Sequence, residues 1–435
     1  MTEIVFDHEA AHLPNPVAGR IPVLMYGASP PGPGTAAIGN QVKAMLQRLR
    51  KPVHTTAFDF LTVALAVTAA DTFVSRGSAA DGWVRDLRLT VPVNDAALWQ
   101  GVLPVFQKAL RFLSGDSWTL NVVANGPTRP TPMTRGAWRI ELDGCDSACL
   151  FSGGLDSAIG ALDLRANGHR PMLVSHSYRF DGQRQESILG RMPAGARRFA
   201  ASAHPVANLG VGNDVQMRTR SLNFLAYGAV IAATLAGANA APVDLFVPEN
   251  GLIALNPPLT PRRIGALSTR TTHPHFLEMM QEVFAGLGIP VRIVNPYALK
   301  TKGEMIQQCV EQAVLHAIAG DTVSCGKWKR TGLQCGKCVP CLIRRASFHA
   351  AGWNDPTHYA PAGQNLPGVL IGGSGRDDVL AMVLASRRLP DLDIAPWVNK
   401  AGPLPGNPAE RAALLDVVKR GMGEVRSYLA SEHLL

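Results

Sequence analysis

The sequence lacks the features that mark membrane and secreted proteins. Its longest nearly uncharged apolar run, residues 222–238, is interrupted by polar residues and glycines and falls short of the roughly 20 residues that a membrane-spanning helix needs. The first residues, Met1-Thr2-Glu3-Ile4, do not form the basic cluster and apolar block of a secretory signal. We therefore expect a cytoplasmic protein that does not associate with a membrane.

Acidic residues are outnumbered by basic ones. The 33 Asp and Glu residues stand against 42 Lys and Arg residues, which gives a net charge of +9. This excess permits an anionic partner, but it does not choose among nucleotide, nucleic acid and acidic protein, so nucleic acid binding is not specifically indicated. The hydrophobic content of 46% argues against a disordered chain, and 435 residues are enough for two or three domains.

Residues 150–157 read Leu-Phe-Ser-Gly-Gly-Leu-Asp-Ser and join a short apolar strand to a helix. The glycines allow a ligand to approach the backbone closely, and the helix behind them offers unpaired N–H groups and the positive end of its dipole. The hydroxyls of Ser152 and Ser157 add donors for phosphate oxygens. No Gly-Lys-Ser/Thr follows, so this is not a Walker A loop. The pattern predicts a phosphate-binding loop; a tight turn with Asp156 as a first-turn acid is the alternative.

Strand and helix patterns alternate from residue 146 onward, which predicts an α/β fold with a doubly wound, mostly parallel sheet. Ligands bind such sheets at the carboxyl ends of the strands. The expected strands include 171–177, 204–210, 243–247 and 291–294, and the expected helices include 221–238, 275–287 and 302–318. The expected domains are an N-terminal α+β extension (1–145), a nucleotide domain (146–352) and a helical C-terminal extension (353–435).

Two further predictions concern the N-terminal extension. Residues 1–40 are rich in proline and glycine and are expected to be an irregular arm, whereas 137–142 is expected to be a strand. A group of polar and charged residues is expected to form a salt-bridged surface rather than a catalytic site: Asp71, Arg76, Asp81, Trp83 and Arg85.

Four of the seven cysteines lie within 17 residues, at positions Cys325, Cys335, Cys338 and Cys341. Four thiolates fit a tetrahedral structural Zn²⁺ that leaves no position for water, so hydrolytic metal catalysis is not implied. An iron–sulfur cluster or redox-active cysteines are the alternatives. Disulfides are not expected in an intracellular chain, and the other three cysteines are expected to pack as small buried residues.

The phosphate loop, followed about 170 residues later by the cysteine cluster, resembles the 7-cyano-7-deazaguanine synthase (QueC) family of ATP pyrophosphatases. Three segments between the two motifs also resemble that family: Gly182-Gln183-Arg184, Arg220-Ser221-Leu222-Asn223-Phe224-Leu225 and Lys302-Gly303-Glu304-Met305-Ile306. The resemblance covers residues 146–352 and implies a HUP-like ATP pyrophosphatase domain.

The resemblance implies an ATP-dependent, amide-forming ligase. Such an enzyme adenylates the carboxylate of 7-carboxy-7-deazaguanine, transfers the acyl group to an amine, and releases AMP and pyrophosphate. The implied cofactor-binding residues are Ser152, Gly153, Gly154, Leu155, Asp156, Ser157, His176 and Ser177, with Mg²⁺ at Asp156. Arg220 and Lys302 join Asp156 as the implied catalytic residues because their charges would stabilise the phosphates. The alternatives are a surface cation at Arg220 and, for Lys302, a surface ion pair with Glu304 or another acid.

The polar loop 248–275 corresponds to the region that meets the purine-like base in the family. The resemblance therefore makes Glu249, Arg270 and His273 candidate substrate-binding residues. A guanine-type edge needs a carboxylate to accept its N–H groups, and Glu249 offers one. A loop held by local hydrogen bonds is the alternative.

The chain departs from ordinary family members in its two extensions and in the loop His176-Ser177-Tyr178-Arg179-Phe180-Asp181. The larger architecture resembles the QueC-like proteins of anti-phage defence operons, of the type called QatC. That resemblance implies operon-encoded protein partners and an amide formed with ammonia or a protein amino group, and it leaves a homodimer open. Two other classes also remain: a tRNA-modifying sulfur transferase using Cys145 or Cys149, and a non-catalytic ATP-binding scaffold of a defence complex.

Overall fold

The computed structural model describes residues 1–136, 138–177, 179–210, 217–237, 241–264, 270–330 and 332–435. Tyr178 and residues 265–269 of the polar loop lie outside this part of the chain. The strands are β1 (Thr2–Asp7), β2 (Arg20–Met25), β3 (Thr35–Ile38), β4 (Asp86–Pro92), β5 (Ser117–Val123), β6 (Ser147–Leu150), β7 (Pro171–His176), β8 (Arg197–Ala201), β9 (Val206–Asn208), β10 (Val243–Phe246) and β11 (Val291–Val294).

The α-helices alternate with these strands and then continue alone to the C-terminus. They are α1 (Asn40–Gln47), α2 (Thr55–Phe73), α3 (Ala96–Gln100), α4 (Leu103–Ser114), α5 (Leu155–Ala166), α6 (Arg179–Leu189), α7 (Arg220–Ala236), α8 (Gly251–Leu255), α9 (Pro274–Gly286), α10 (Lys302–Gln308), α11 (Gln312–Ile318), α12 (Val339–Ala351), α13 (Leu366–Gly372), α14 (Arg376–Arg388), α15 (Ile394–Asn399) and α16 (Pro408–Ser431). The predicted α/β class is confirmed.

The region predicted to be the nucleotide domain contains a five-stranded sheet with the order β11-β10-β6-β7-β8, in which every neighbouring pair is parallel. The strand order reverses between β6 and β10, so the loops after these two strands open a crevice at the carboxyl edge of the sheet. The prediction of a strand at 204–210 was wrong for this sheet. Its edge strand is β8, whereas β9 pairs antiparallel with β3 of the other sheet.

The N-terminal extension forms a six-stranded sheet with the order β5-β4-β1-β2-β3-β9, in which β1 to β5 pair in parallel. The expected irregular arm at residues 1–40 is therefore wrong, because β1, β2 and β3 lie in it. The Pro/Gly-rich residues 29–34 only connect β2 to β3. At the expected strand 137–142, Ile140 makes an isolated bridge to Leu49, and residue 137 lies outside the described residues.

Helix α2 is long and apolar enough to cross a membrane, but 94% of its apolar window is buried inside the fold. A helix that is apolar on all sides belongs in a protein core, and α2 packs against α7 there. The two sheets consequently share one continuous apolar core.

The expected salt-bridged surface in the N-terminal extension was wrong for three of its residues. Asp71, Arg76 and Arg85 are 0%, 5% and 2% exposed. Arg85 forms ion pairs with Asp71 and with the buried Asp116, and Arg76 pairs with Asp116. Asp81 stays at the surface, where its carboxylate accepts hydrogen bonds from the backbone N–H groups of residues 83 and 84.

The C-terminal helices form a second core with α8 and α12. Helix α16 packs along α12 and reaches α10, so this extension contacts the nucleotide domain beside the loop that precedes α10. The expected single helix 302–318 is two helices. The chain is extended at Cys309, and the Asp163 carboxylate accepts the N–H group of Val310 at 2.9 Å.

Candidate nucleotide-binding site

The loop between β6 and α5 is a tight turn that leads directly into the N-terminus of a helix. Gly153 has φ +82°, and a Cβ at this position would lie 3.1 Å from Cγ of Gln185. Gly154 is the N-cap of α5, and its N–H donates to Ser152 Oγ at 3.2 Å. Ser157 Oγ donates to the Gly154 carbonyl at 2.9 Å and lies 3.2 Å from Ser152 Oγ. Both hydroxyls therefore sit together at the start of the helix.

Neighbouring segments fix this loop from both sides. The Gln185 side-chain amide donates to the Ser152 carbonyl at 3.1 Å, and the Val323 N–H donates to the Gly153 carbonyl at 3.0 Å. Gln185 belongs to α6, and Val323 precedes the cysteine cluster by two residues. The loop is thus preorganised rather than dependent on a ligand for its shape.

Asp156, in the first turn of α5, is the centre of a buried cluster of charge. Its carboxylate pairs with the Lys302 ammonium, and it accepts the backbone N–H and side-chain amide of Asn250 at 3.1 and 2.6 Å. Burial alone would raise the pKa of Asp156, but the charge of Lys302 and hydrogen bonds from Glu249, Lys302 and Asn250 lower it to about 2. Lys302 therefore pairs with Asp156, and the alternative pair with Glu304 is not formed: Glu304 makes a capping box with Thr301.

Glu249 is the second carboxylate of this cluster. Burial and the neighbouring Asp156 carboxylate raise the pKa of Glu249 well above its ordinary value. Two acids thus share Lys302, and they repel each other when both are ionised. Asp156 follows β6 and Glu249 follows β10, so the two carboxylates meet at the point where the strand order reverses.

A cavity of about 400 Å³ opens in front of these loops. The predicted residues that line it are Ser152, Ser157, His176, Arg220 and Glu249. Asp156 and Lys302 are only 5% and 7% exposed and lie buried beside Glu249. Leu155 packs in the core of the nucleotide domain, and Ser177 lines a different cleft with Gly182 and Glu186.

His176 lies at the end of β7 and stacks on the Tyr227 ring with a centroid distance of 5.6 Å. Burial, with smaller contributions from the charges of Arg220 and Lys329, lowers its pKa to about 3. The imidazole is therefore neutral at physiological pH and contributes a polar wall rather than a charge.

Sequence reasoning missed several residues of the cavity wall. These are Asp181, Ser221, Phe224, Thr271, Thr272, Trp328 and Lys329. Lys329 had a visible signal, because it belongs to the acid-free basic stretch 322–345, but the stretch could not indicate which lysine faces the cavity.

Arg270 and His273 are not among the described residues that line the cavity. The Arg270 guanidinium donates to the Phe112 carbonyl at 2.9 Å and lies 4.6 Å from the centroid of its ring. His273 is fully buried, contacts the same ring edge-on, and has its pKa lowered to about 3 by burial. Both side chains join α9 to α4 of the N-terminal extension.

Each extension also contacts one of the site segments directly. The Asp71 carboxylate accepts the backbone N–H groups of Arg218 and Thr219 at 2.7 and 2.8 Å, immediately before Arg220. On the opposite side, the Glu424 carboxylate of α16 accepts the hydroxyl of Thr301 and the N–H of Gly303. Lys302 lies between Thr301 and Gly303, the two residues that Glu424 contacts.

The four clustered cysteines converge as zinc ligands would. All four sulfur atoms lie within 4.8 Å of one another, and three pairs are 3.4, 3.9 and 4.0 Å apart. A tetrahedral Zn²⁺ at about 2.3 Å from each sulfur would separate the sulfurs by about 3.8 Å. Backbone N–H groups also donate to Cys325 and Cys335 at 3.3 Å, which favours thiolates. The donor set therefore fits a structural zinc, and Cys325 lines the nucleotide cavity as well.

Comparison with known proteins gives one family and a consistent set of relatives. The family model described as "Queuosine biosynthesis protein QueC" matches residues 271–352. The 7-cyano-7-deazaguanine synthase of Geobacter metallireducens is 30% identical over 238 residues, which cover 48% of this chain and 92% of that protein. The synthases of Cupriavidus taiwanensis and Cupriavidus necator are 30% and 29% identical over 232 residues, covering 49% of this chain and 96% of each relative. Nearly the whole of each relative thus corresponds to about half of this chain.

Proposed function

This chain belongs to the QueC family, and on that premise we propose that it adenylates the carboxylate of 7-carboxy-7-deazaguanine and transfers the acyl group to an amine. The observation that carries the proposal is one cavity that is lined both by Ser152 and Ser157 of the preformed loop and by Glu249, which follows β10 at the strand-order reversal. Adenylation needs a cradle for the leaving pyrophosphate and opposing charge at the site of displacement, and both elements meet there.

In the proposed first step, a substrate carboxylate oxygen attacks the α-phosphorus of ATP, and the bond to pyrophosphate breaks. The N–H groups and hydroxyls at the start of α5 hold the leaving pyrophosphate oxygens. Arg220, which lines the cavity at the start of α7, supplies positive charge toward the phosphates. In the second step the amine attacks the acyl carbon, the bond to AMP breaks, and AMP leaves.

Asp156 and Glu249 are the residues that would hold Mg²⁺. Lys302 pairs with Asp156, and the raised pKa of Glu249 keeps a proton on the second carboxyl group. A divalent cation would displace this proton and balance the negative charge that the Glu249 carboxylate then carries. The ion, when bound, would neutralise charge developing on the phosphate oxygens. Asn250 would keep Asp156 oriented through its two hydrogen bonds to the carboxylate.

The four cysteines would hold a Zn²⁺ ion whose role is structural. Residues 323–326 connect the cysteine cluster to the cavity wall and to the Gly153 carbonyl. Zinc at Cys325, Cys335, Cys338 and Cys341 would thus keep that wall and the phosphate loop in register.

The acceptor and the setting are further parts of the proposal. We place the protein in the cytoplasm, with operon-encoded protein partners in an anti-phage defence system of the QatC type, and with a homodimer as an assembly to test. Two features support the enlarged type: half of the chain has no counterpart in the relatives, and both extensions contact site segments. A protein amino group or ammonia would then receive the acyl group.

The competing sulfur transferase needs a reactive thiol at the cavity. Burial raises the pKa of the Cys149 thiol far above its ordinary value, and this side chain is fully buried. Burial likewise raises the pKa of the Cys145 thiol. Thiols that stay protonated are poor nucleophiles, so the raised pKa values of Cys149 and Cys145 favour the ligase over the transferase.

Mass spectrometry of products tests the proposal. The full-length protein would be incubated with ATP, Mg²⁺ and 7-carboxy-7-deazaguanine, with ammonium or with purified operon-encoded proteins. An amide or nitrile of the small molecule, or a matching mass increase on a partner protein, is the expected result and identifies the acceptor. Absence of pyrophosphate under every condition would contradict the ligase and favour the non-catalytic scaffold.

A further inference from the structure

Arg344 is a cation that the fold removes completely from water. It lies in α12, one helical turn after Cys341 of the cysteine cluster, and is 0% exposed. Its guanidinium donates four hydrogen bonds of 2.6 to 3.3 Å, all to uncharged oxygen atoms: the side-chain hydroxyls of Thr322, Ser324 and Thr357 and the carbonyl of Ala319. These contacts satisfy the N–H groups of Arg344, but they supply no opposite charge.

Among the described residues, no carboxylate forms an ion pair with Arg344. Asp355 lies close to Thr357, but its carboxylate accepts the Thr357 N–H at 3.0 Å and the Tyr359 hydroxyl at 2.6 Å. The stretch 322–345, to which Arg344 belongs, contains no acid at all. A fully buried cation without an opposite charge is costly, so the neutralising charge has to come from another kind of group.

The cysteine cluster approaches this guanidinium from two sides. Cys341 precedes Arg344 by three residues on the same helix, a spacing that places the two Cβ atoms about 5–6 Å apart on one face. Cys325 directly follows Ser324, whose hydroxyl accepts from Arg344 at 3.3 Å. Both cysteines are at most 2% exposed. Four thiolates around one Zn²⁺ carry a net double negative charge, which attracts a cation strongly in such a buried setting.

Arg344 is more deeply buried than two neighbouring cations of the same segment. Lys337 lies between two of the cysteines and is 9% exposed. Arg345 is partly buried, and its guanidinium donates to the Tyr428 hydroxyl at 3.1 Å. Water can therefore share in solvating the charges of Lys337 and Arg345, whereas the charge of Arg344 depends entirely on the protein around it.

We propose that Arg344 is the buried counter-charge of the zinc tetrathiolate. It is a positioning residue for the metal centre: its charge offsets that of the thiolates, and its hydrogen bonds hold Thr322 and Ser324 in the segment that carries Cys325. Zinc in turn supplies the site with the negative charge that Arg344 lacks elsewhere. The assignment concerns the metal centre alone and is independent of the proposed reaction.

Charge and hydrogen bonding can be separated at position 344. Arg344→Lys keeps the positive charge but loses most of the hydrogen bonds, whereas Arg344→Gln keeps a donor group but loses the charge. A counter-charge predicts that Lys supports zinc binding better than Gln. A residue that only ties α12 to residues 319–324 by hydrogen bonds predicts that Lys is no better than Gln.

Competition with a chromogenic zinc chelator measures the zinc affinity of the full-length protein in wild type, Arg344→Lys, Arg344→Gln and Arg344→Met. Groups that support metal ligands typically contribute about 10- to 100-fold to metal affinity, so the Gln and Met variants should bind zinc weaker by about that factor. Arg344→Lys should weaken it by less than about fivefold. Equal losses in the Lys and Met variants, or wild-type affinity in Arg344→Gln, would overturn the inference.

A second pair of variants tests the charge from the side of the ligands. Cys335→His replaces one thiolate by a neutral imidazole, and a Cys₃His set still binds zinc tetrahedrally. Arg344→Gln should then cost less zinc affinity in the Cys335→His background than in wild type, because the site carries one negative charge fewer. If Arg344→Gln alone does not fold, the double variant should regain a cooperative thermal transition with zinc. The same loss in both backgrounds, or no recovery in the double variant, would contradict the counter-charge.

Lys327→Met is the matched control. It removes a cation from the same acid-free stretch, but this ammonium lies 3.6 Å from the Asp378 carboxylate and its side chain is 45% exposed. Zinc affinity should therefore stay as in wild type. A loss in Lys327→Met equal to that in Arg344→Met would show a general effect of positive charge and would overturn the assignment to Arg344.

Discussion

Two buried clusters of charge in this protein have different balances. The cluster in the N-terminal extension contains Asp71, Arg76, Arg85 and Asp116, which are two acids and two bases with at most 5% exposure. The cluster at the candidate site contains Asp156, Glu249 and Lys302, which are two acids and one base beside an open cavity. Asp156 and Lys302 are nearly as buried as the first cluster, but Glu249 is only partly buried at the cavity wall, so the two clusters differ in charge balance and in access.

The balance decides which charged forms are stable. Burial opposes the ionisation of Asp116, yet hydrogen bonds and charge from Arg85 lower the pKa of Asp116. Burial likewise opposes the charge of Arg85, yet hydrogen bonds and charge from Asp116 and Asp71 raise the pKa of Arg85. At the site, burial and Asp156 instead raise the pKa of Glu249. A balanced, enclosed cluster stabilises the fold, whereas the cluster beside the cavity is the one that, under the proposed function, would bind a cation.

Removing a base from the balanced cluster should have the largest effect on stability. Arg85→Met removes an ion-pair partner from both Asp71 and Asp116 and leaves both carboxylates buried beside Arg76, so we expect the free energy of unfolding to fall by about 3–5 kcal/mol. Denaturant unfolding measures the change. Arg88→Met, on the exposed face of the same strand, is the control and should change stability by less than about 0.5 kcal/mol. Equal losses in the two variants would remove the distinction between the clusters.

Removing an acid from the unbalanced cluster should instead abolish turnover while the fold persists. In Asp156→Asn, the amide still accepts from Asn250, and Glu249 can ionise to pair with Lys302. We expect ATP turnover to fall by about 10²–10³-fold, with a cooperative thermal transition close to that of wild type. Asp163→Asn, in the same helix but bonded to Tyr297 and Val310, should give the reverse pattern. Loss of the transition in Asp156→Asn would contradict a functional role.

The pH dependence of stability should report the raised pKa of Glu249. The folded protein keeps a proton on this group that the unfolded chain releases above about pH 4.5. Stability from this proton is complete below the unfolded pKa and declines as the pH rises toward the folded pKa, by up to about 1.4 kcal/mol per pH unit. Glu249→Gln should therefore flatten the fall of Tm between about pH 5 and pH 8. Glu278→Gln, at an exposed glutamate, should leave the slope as in wild type; a wild-type slope in Glu249→Gln would be evidence against the charge imbalance.

The smallest effect is expected at the contact from the C-terminal extension. Burial raises the pKa of Glu424 to about 7, and its side chain holds Thr301 and Gly303 on either side of Lys302. Glu424→Gln should lower kcat roughly fivefold, equivalent to about 1 kcal/mol, with KM for ATP little changed, because it shifts Lys302 rather than the phosphate loop. Asp416→Asn, an exposed acid of the same helix, should have no effect on kcat. Equal effects of the two substitutions would indicate a general role for α16.

The sequence was sufficient to predict those parts of the site that are contiguous in the chain. The loop 152–157, the four cysteines and the strand-to-loop position of Glu249 follow from local spacing and residue chemistry. The pairing of Lys302 with Asp156 joins residues 146 positions apart. The sequence indicated only a phosphate contact or an ion pair with Glu304 or another acid, and it could not identify Asp156 as the partner.

The remaining features depend on the direction of side chains and on the extensions. Arg270 and His273 lie in the predicted loop, but both side chains contact Phe112 of the N-terminal extension and are not among the described residues that line the cavity. The strands at residues 1–40 were missed because they are short and separated by proline and glycine. Asp181 was not predicted to line the cavity, because its ion-pair partners Arg220 and Lys329 are distant from it in the sequence.

The most direct test of the central claim follows oxygen from the substrate carboxylate. The protein would be incubated with ATP, Mg²⁺, the amine acceptor identified by mass spectrometry and 7-carboxy-7-deazaguanine labelled with ¹⁸O in its carboxylate. Adenylation followed by acyl transfer predicts AMP that carries one ¹⁸O atom, since the attacked acyl carbon leaves its bridging oxygen on the nucleotide. Unlabelled AMP, or ADP and phosphate in place of AMP and pyrophosphate, would contradict adenylation at this site.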